Sequence, residues 1–267
     1  MTDLPPLRDV IRHYELSARK SLGQNFLLDL NLTDRIARAA GDLAEGTVVE
    51  IGPGPGGLTR ALLKNGAKSV IAVERDPRAA DAIRDLATHF PGRLSVIEAD
   101  ALKLSLHDIA TPPFKVVANL PYNIATPLMI KWLRNLEGIQ GLTLMFQREV
   151  ADRLAASPRT KAYGRLSVIT QWLCEVRPVF NLPKDAFTPP PKVMSTVVNL
   201  TPHSEPLAEA DFGNMEKITQ AAFGQRRKML RASLKTIGLD PAAAGIDPTR
   251  RAEELSIEEF CALARLL

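Results

Sequence analysis

Glycines, carboxylates and one amide tetrad carry the chemistry this sequence offers, and they fall where apolar runs end. Val48-Val49-Glu50-Ile51 runs into Gly52-Pro53-Gly54-Pro55-Gly56-Gly57 and resumes as a helical pattern through Leu58, Leu62 and Leu63. That is a strand, a tight turn and a helix. Glycines at 52, 54 and 56 let the backbone take positive φ and approach a ligand where a Cβ would collide. Gly52, Gly54 and Gly57 also satisfy G-x-G-x-x-G, and Glu74 ends the next strand pattern roughly 20 residues on, where a nicotinamide enzyme would keep its ribose acid. The turn therefore calls for an adenosine-containing cofactor without choosing among cofactors, and a glycine-rich turn with no ligand is the plain alternative. Asp100 ends the third strand pattern, and Asn119-Leu120-Pro121-Tyr122 follows the fourth.

The elements that must position these residues alternate. Ser69–Glu74, Leu94–Asp100, Lys115–Asn119 and Gly141–Gln147 read as further strands, with helical patterns between them such as Pro77 to about Phe90. Continuous apolar runs suit parallel strands buried on both faces, and strand-helix alternation predicts a doubly wound α/β sheet with ligands at the carboxyl ends of its strands. Glu175–Phe180 and Ser195–Leu200 have only a proline-rich loop between them and are expected to form an antiparallel hairpin at one edge. Thr201–Glu209 reads as a linker, and everything beyond it as helical, closing with a Ser256/Glu259 capping box. The expected organisation is an N-terminal extension with covering helices over 1–45, a cofactor-binding domain over 46–202 and a helical domain over 203–267. Arg19-Lys20-Ser21-Leu22-Gly23-Gln24-Asn25-Phe26-Leu27 is either a basic loop before the helix Asn31–Ala40 or a cover over the cofactor.

Composition narrows the class. The 267 residues are 45% apolar and 24% charged, ordinary for a soluble globular protein, and no run approaches the length of a membrane span. The N-terminus has no apolar secretory core, so a cytoplasmic protein is expected. Cys174 and Cys261 sit in apolar helical patterns without C-x-x-C spacing and the four histidines are scattered, so buried thiols and no metal are expected. A net charge of +4 permits a polyanionic partner without demanding one. No obligate dimer seam is visible, and a monomer is expected.

The tetrad separates the cofactors. It resembles the N-L-P-Y motif of S-adenosylmethionine-dependent amino-methyltransferases and has no evident task in hydride transfer. An exocyclic base amine is a poor nucleophile because its lone pair is delocalised into the ring. The Asn119 side-chain oxygen and the Leu120 carbonyl would accept both amine hydrogens and draw the nitrogen toward a tetrahedral, nucleophilic state. Tyr122 would stack on the extruded base. Catalysis is then alignment of amine, methyl carbon and sulfur. With Glu50 before the glycines, Glu74 would take the ribose hydroxyls and Asp100 the adenine amino group.

Four segments together resemble the small-subunit ribosomal RNA adenine dimethyltransferases of the KsgA/RsmA family: Gln24–Leu27, Glu50–Thr59, Asn119–Tyr122 and Asp185-Ala186-Phe187-Thr188-Pro189-Pro190-Pro191-Lys192-Val193. The resemblance runs from about residue 18 to the C-terminus. It implies a Rossmann-like class I methyltransferase sheet, mostly parallel, plus a small all-helical C-terminal domain. It implies transfer of two methyl groups from S-adenosylmethionine to N6 of each of two adjacent adenosines in a hairpin near the rRNA 3′ end, within an immature small subunit. It further implies that Asn25, Leu27, Gly52, Glu74, Asp100 and Asn119 contact the cofactor or its rim, with Gly54 and Gly56 in the turn, and that Phe187 faces Tyr122 across the adenine. Two basic clusters are candidate RNA contacts beside Arg19 and Lys20: Arg148, Arg153, Arg159, Lys161 and Arg165 around a loop at Ser157–Gly164, and Arg226, Arg227, Lys228, Arg231 and Lys235 on an expected helix spanning Gln220–Lys235. Phosphate contacts of this kind give affinity without sequence information; a solvated charged face is the alternative. Three rival functions stay open: a large-subunit rRNA methyltransferase of the erythromycin-resistance type, an assembly factor whose catalysis serves release, and a nicotinamide enzyme.

Overall fold

Apolar runs that alternate with amphipathic helices have to be covered on both faces, and the central strands here are. The computed structural model describes residues 4–17 and 24–267. Five parallel strands, β2 (Thr47–Ile51), β3 (Ser69–Glu74), β4 (Leu94–Glu98), β5 (Phe114–Ala118) and β6 (Ile139–Gln147), pair in the order β4-β3-β2-β5-β6. Val48, Val49, Val70, Ala72, Val116 and Val117 are all buried. The chain steps outward from β2 through β3 to β4, then crosses to β5 on the other side of β2. That reversal is the topological switch point, where a crevice opens beyond the carboxyl ends of the strands. Register aligns those ends: Glu50 lies opposite Ala72 and Val117, and Glu74 opposite Glu98.

β9 (Ser195–Pro202) joins β6 antiparallel, and β7 (Cys174–Leu182) follows it at the edge. Between them β8 (Phe187–Thr188) leaves the large sheet and pairs antiparallel with β1 (Phe26–Leu27), Leu27 opposite Phe187. This small ladder is absent from the sequence-based expectation.

Helices start where side chains can cap them. Asp29 accepts from the amides of Asn31 and Leu32 at the head of α2 (Leu30–Ala39), and Asp76 caps α4 (Pro77–Thr88), whose Ala79, Ala80, Ile83 and Leu86 are buried. α1 (Leu7–His13) precedes them; α3 (Gly57–Lys64) follows the glycine turn and α5 (Tyr122–Leu133) the tetrad.

The chain separates into two compact units, one running to Arg148 and including Pro178–Leu200, the other Glu149–Arg177 with Thr201–Leu267. The expected boundary at 202 differs in one respect. α6 (Arg148–Leu154) from Glu149 on, and α7 (Arg165–Leu173), group with the C-terminal helices α8 (Phe212–Gly224), α9 (Leu230–Ser233) and α10 (Ile257–Ala264). α7 packs on α8 and α10, and the Tyr163 hydroxyl donates to the Leu255 carbonyl at 3.0 Å. The elements after residue 202 are all helical, and the capping box at Ser256 and Glu259 is present.

Two local expectations are corrected. Cys174 opens strand β7 instead of sitting in a helix; it and Cys261 are free, buried thiols, pushed up by burial to about 12 and about 11. The stretch Gln220–Lys235 is not one helix: α8 ends at Gly224 and α9 begins only at Leu230. Gly224 is a weak helix former, and a continuous helix would set Arg227 and Lys228 one turn from Arg231 as like charges, so both disfavour helix here. Among the described residues, no helix is long and apolar enough to cross a membrane.

Candidate active site

The glycine turn is built around an acid. Gly52 donates to the Val73 carbonyl at 2.9 Å, tying the turn to β3. Glu74 then accepts from the amides of Arg75 (2.7 Å) and Asp76 (2.8 Å) on one oxygen and from Gly54 (3.2 Å) on the other. Its pKa stays raised, by burial above all and by the Asp76 charge, against the pull of these three amides. The oxygen bonded to Gly54 keeps one lone pair, so a single ribose contact remains open while the same group holds the loop. Gly54 has φ +54°, and a Cβ there would meet two atoms of the Phe26 ring at 3.2 Å.

A cavity of about 150 Å³ opens at the switch point. Asn25, Leu27, Glu50, Gly52, Gly54 and Glu74 line it, as do Asp100, Asn119, Leu120, Tyr122 and Phe187. Gly56 does not: its side-chain direction is closed by Ile83 Cδ1 at 3.0 Å and Leu86 Cδ2 at 3.2 Å, so it serves close packing of the turn on α4. Arg19 and Lys20 lie outside the described residues.

Glu50 is the electrostatic oddity of the cavity. It is 1% exposed, and its Oε2 has no hydrogen-bond partner among the described residues. Burial pushes its pKa up to about 8, against a pull down from the Thr59 hydroxyl and with help from the Glu74 charge. A carboxyl so placed is neutral at pH 7 until a cation arrives.

Asp100 is held at both oxygens: Oδ1 accepts from the Leu102 amide at 3.0 Å, and Oδ2 lies 3.6 Å from the Arg75 guanidinium. Arg75 also lines the cavity. Lys131, one face of α5, donates to the carbonyls of Ala101 (3.4 Å), Leu102 (2.7 Å) and Leu104 (2.8 Å), pinning the loop that carries Asp100. Neither residue was anticipated; an arginine after a strand and a lysine inside a helix carry no local signal.

In the tetrad, Asn119 Nδ2 donates to the Asn25 carbonyl at 3.5 Å, which orients the amide with Oδ1 as its acceptor. Tyr122 is the first residue of α5, and its hydroxyl bonds Ser195 Oγ at 2.5 Å. Phe187 is 3% exposed and packs in the core cluster that contains Leu27.

The candidate RNA contacts divide. In the second unit Arg153, Arg159, Lys161, Arg227, Lys228, Arg231 and Lys235 are exposed. Arg226 is exposed too, but its guanidinium donates to the carbonyls of Lys161 (2.9 Å) and Tyr163 (3.0 Å). It fastens the loop before α7 to the turn after α8, so the two clusters meet in this unit. Arg165 pairs with Glu216 at 3.1 Å, and Arg153 with Glu149 at 3.7 Å. Arg148, exposed, belongs to the first unit.

A crevice with acids at the carboxyl ends of β2 and β3 and just beyond β4 suits any adenosine cofactor; the tetrad beyond β5 has no evident task in hydride transfer and resembles that of amino-methyltransferases. Fold and site together define an amino-methyltransferase of the doubly wound class. The family model of the ribosomal RNA adenine dimethylases matches residues 15–267, and the chain belongs to that family. It is 61% identical to the ribosomal RNA small subunit methyltransferase A of Paramagnetospirillum magneticum, over all of this chain and 96% of that one. Among solved structures, a dimethyladenosine transferase from Plasmodium falciparum superposes with a TM-score of 0.77 at 28% identity, covering 88% of this chain and 94% of that one. The 23S rRNA methyltransferase ErmE superposes with a TM-score of 0.69 at 30% identity, covering 90% of this chain and 98% of its own.

Proposed function

We propose that this chain dimethylates N6 of two adjacent adenosines in a 3′-terminal hairpin of small-subunit rRNA, with S-adenosylmethionine as donor. The observation that carries it is the Asn119–Tyr122 turn opening on the same cavity as Glu50, Glu74 and Asp100. The 61% identity to a small-subunit enzyme, against 30% to a large-subunit one, favours the small-subunit substrate.

The residues present fit the donor. An unpartnered, buried carboxylate oxygen on Glu50 suits a ligand that is cationic at both ammonium and sulfonium. Glu74 offers the one lone pair left on its Gly54-bonded oxygen to a ribose hydroxyl, and Asp100, oriented by the Leu102 amide with Arg75 nearby, accepts from an exocyclic amine. S-Adenosylmethionine supplies an electrophilic methyl group on sulfur. Asn119 Oδ1 and the Leu120 carbonyl take the two hydrogens of the target amine, concentrating its lone pair on nitrogen. Tyr122 and Phe187 form walls for the unstacked adenine, which leaves the helix to reach the cavity. The ammonium formed on transfer is acidic enough to lose its proton to water, so no side-chain base is required. Exposed cations around the 157–164 loop and the 225–229 turn supply phosphate contacts, with Arg148, Arg19 and Lys20 as further candidates. The protein acts as a cytoplasmic monomer on an immature subunit, residues 1–45 covering the cofactor and the helical domain contacting RNA.

The test is transfer of labelled methyl from S-adenosylmethionine to small subunits from a strain lacking the modification, followed by nucleoside analysis. Dimethyladenosine from the wild type and none from Asn119→Ala is expected. Transfer to large-subunit RNA alone would move the assignment to the erythromycin-resistance type.

A further inference from the structure

The excursion between β8 and β9 begins at Phe187, which lines the cavity, and ends at Ser195, which bonds the cavity residue Tyr122. Ser195 is 0% exposed and opens β9 opposite Gln147. Its Oγ lies 2.5 Å from the hydroxyl of Tyr122, far away in the chain and at the head of α5. A hydroxyl that served packing alone would be replaced at no loss by a methyl group, because burying a polar group is unfavourable unless it is bonded. Here the side-chain hydroxyl of a buried strand residue is bonded to the hydroxyl of Tyr122.

We propose that Ser195 is a positioning residue for methyl transfer: it anchors the Tyr122 hydroxyl and so fixes the ring as a stacking platform for the target adenine. This rests on the function proposed above. A tyrosine ring swings about two side-chain torsions, and the χ2 torsion is broad and weakly restrained. The para oxygen lies on the χ2 axis, so tying it to the sheet restrains χ1 and with it the position of the ring, while the in-plane preference of a phenol hydrogen bond biases the ring's tilt. The amine must meet the methyl carbon in line, and small misplacements of such a geometry are costly in rate. Tyr122 then acts through its ring face, since its hydroxyl is engaged and burial raises its pKa, with the Ser195 bond pulling the other way. Three prolines, Pro189 to Pro191, restrict the loop that joins the wall residue Phe187 to this anchor.

The experiment compares Ser195→Ala, Tyr122→Phe and the double variant with the wild type, on small subunits lacking the modification. Read out are the single-turnover rate at saturating S-adenosylmethionine and the Kd of S-adenosylhomocysteine by calorimetry. Each single variant is expected to lower the rate about five- to twentyfold, as for loss of one buried hydrogen bond, with Kd unchanged within about twofold. The double variant should be no slower than the slower single, because both remove one bond. A wild-type rate in Ser195→Ala, multiplying losses in the double variant, or a loss appearing in Kd would each overturn the proposal. If Ser195→Ala does not fold, Tyr122→Phe, which keeps the ring, decides alone, and a wild-type rate there overturns it. A wild type inactive on these subunits would overturn the functional reading with it; an active wild type and an unaffected Ser195→Ala would sink the anchor only.

Discussion

Glu50→Gln replaces the buried carboxyl with a group of the same shape that never ionises, and the consequence has a definite sign. In the unfolded chain the carboxyl ionises near 4.5; in the folded one it keeps its proton up to about 8, chiefly through burial. Ionisation therefore favours the unfolded state. Stability is fully present below the unfolded value and is lost as pH rises through the folded one. At about 1.4 kcal/mol per tenfold, the loss is roughly 3 kcal/mol at pH 7 and approaches roughly 5 kcal/mol above pH 8. Urea unfolding without cofactor, from about pH 4 to pH 9, should give the wild type and Glu50→Gln equal stability at the acid end. The variant should pull ahead steadily toward pH 8. A gap independent of pH, or a wild type more stable at pH 8, would refute the account. The bound state reverses the preference. A cationic ligand beside Glu50 favours the carboxylate, so S-adenosylmethionine binding by the wild type should tighten with pH and release a proton, while binding by Glu50→Gln should be weaker and flat.

Other outcomes follow from the same contacts. Asn119→Ala should abolish methyl transfer while keeping S-adenosylhomocysteine affinity within about tenfold, measured by calorimetry, since it removes an acceptor for the amine. Gly54→Ala places a methyl against the Phe26 ring at a left-handed φ and should destabilise the fold by about 1–3 kcal/mol in urea unfolding, with weakened cofactor binding. Lys131→Met frees the carbonyls of the 101–104 loop and should raise KM for S-adenosylmethionine about tenfold with kcat retained. Arg226→Ala should lower the melting temperature because two loop carbonyls lose their donor, whereas Arg227→Ala should leave it unchanged and reduce the salt slope of RNA binding by about one.

What could be read from the chain follows the range of the physics that encodes it. The glycine turn, Glu50, Glu74, Asp100 and the tetrad were legible because each ends an apolar run, and in a doubly wound sheet the end of a run is already the rim of the crevice. Gly56 shows how far that logic goes: the G-x-G pattern places it in the turn, but only the packing of Ile83 and Leu86 assigns it to contact with α4. The pairing of Phe26-Leu27 with Phe187-Thr188 was illegible because two residues have no periodicity, and their partners are distant in the chain. Arg226 was read as a phosphate contact since an exposed arginine in a basic run looks like one, and its carbonyl partners are known only once α7 and α8 are packed. Lys131 and Ser195 are the same case nearer the chemistry. Local sequence places the groups that line the cavity, because strand ends place them; the groups that hold those groups still are chosen by tertiary contact. A mutational map of this cavity that stops at the strand ends would therefore miss Lys131 and Ser195, where rate and affinity are expected to come apart.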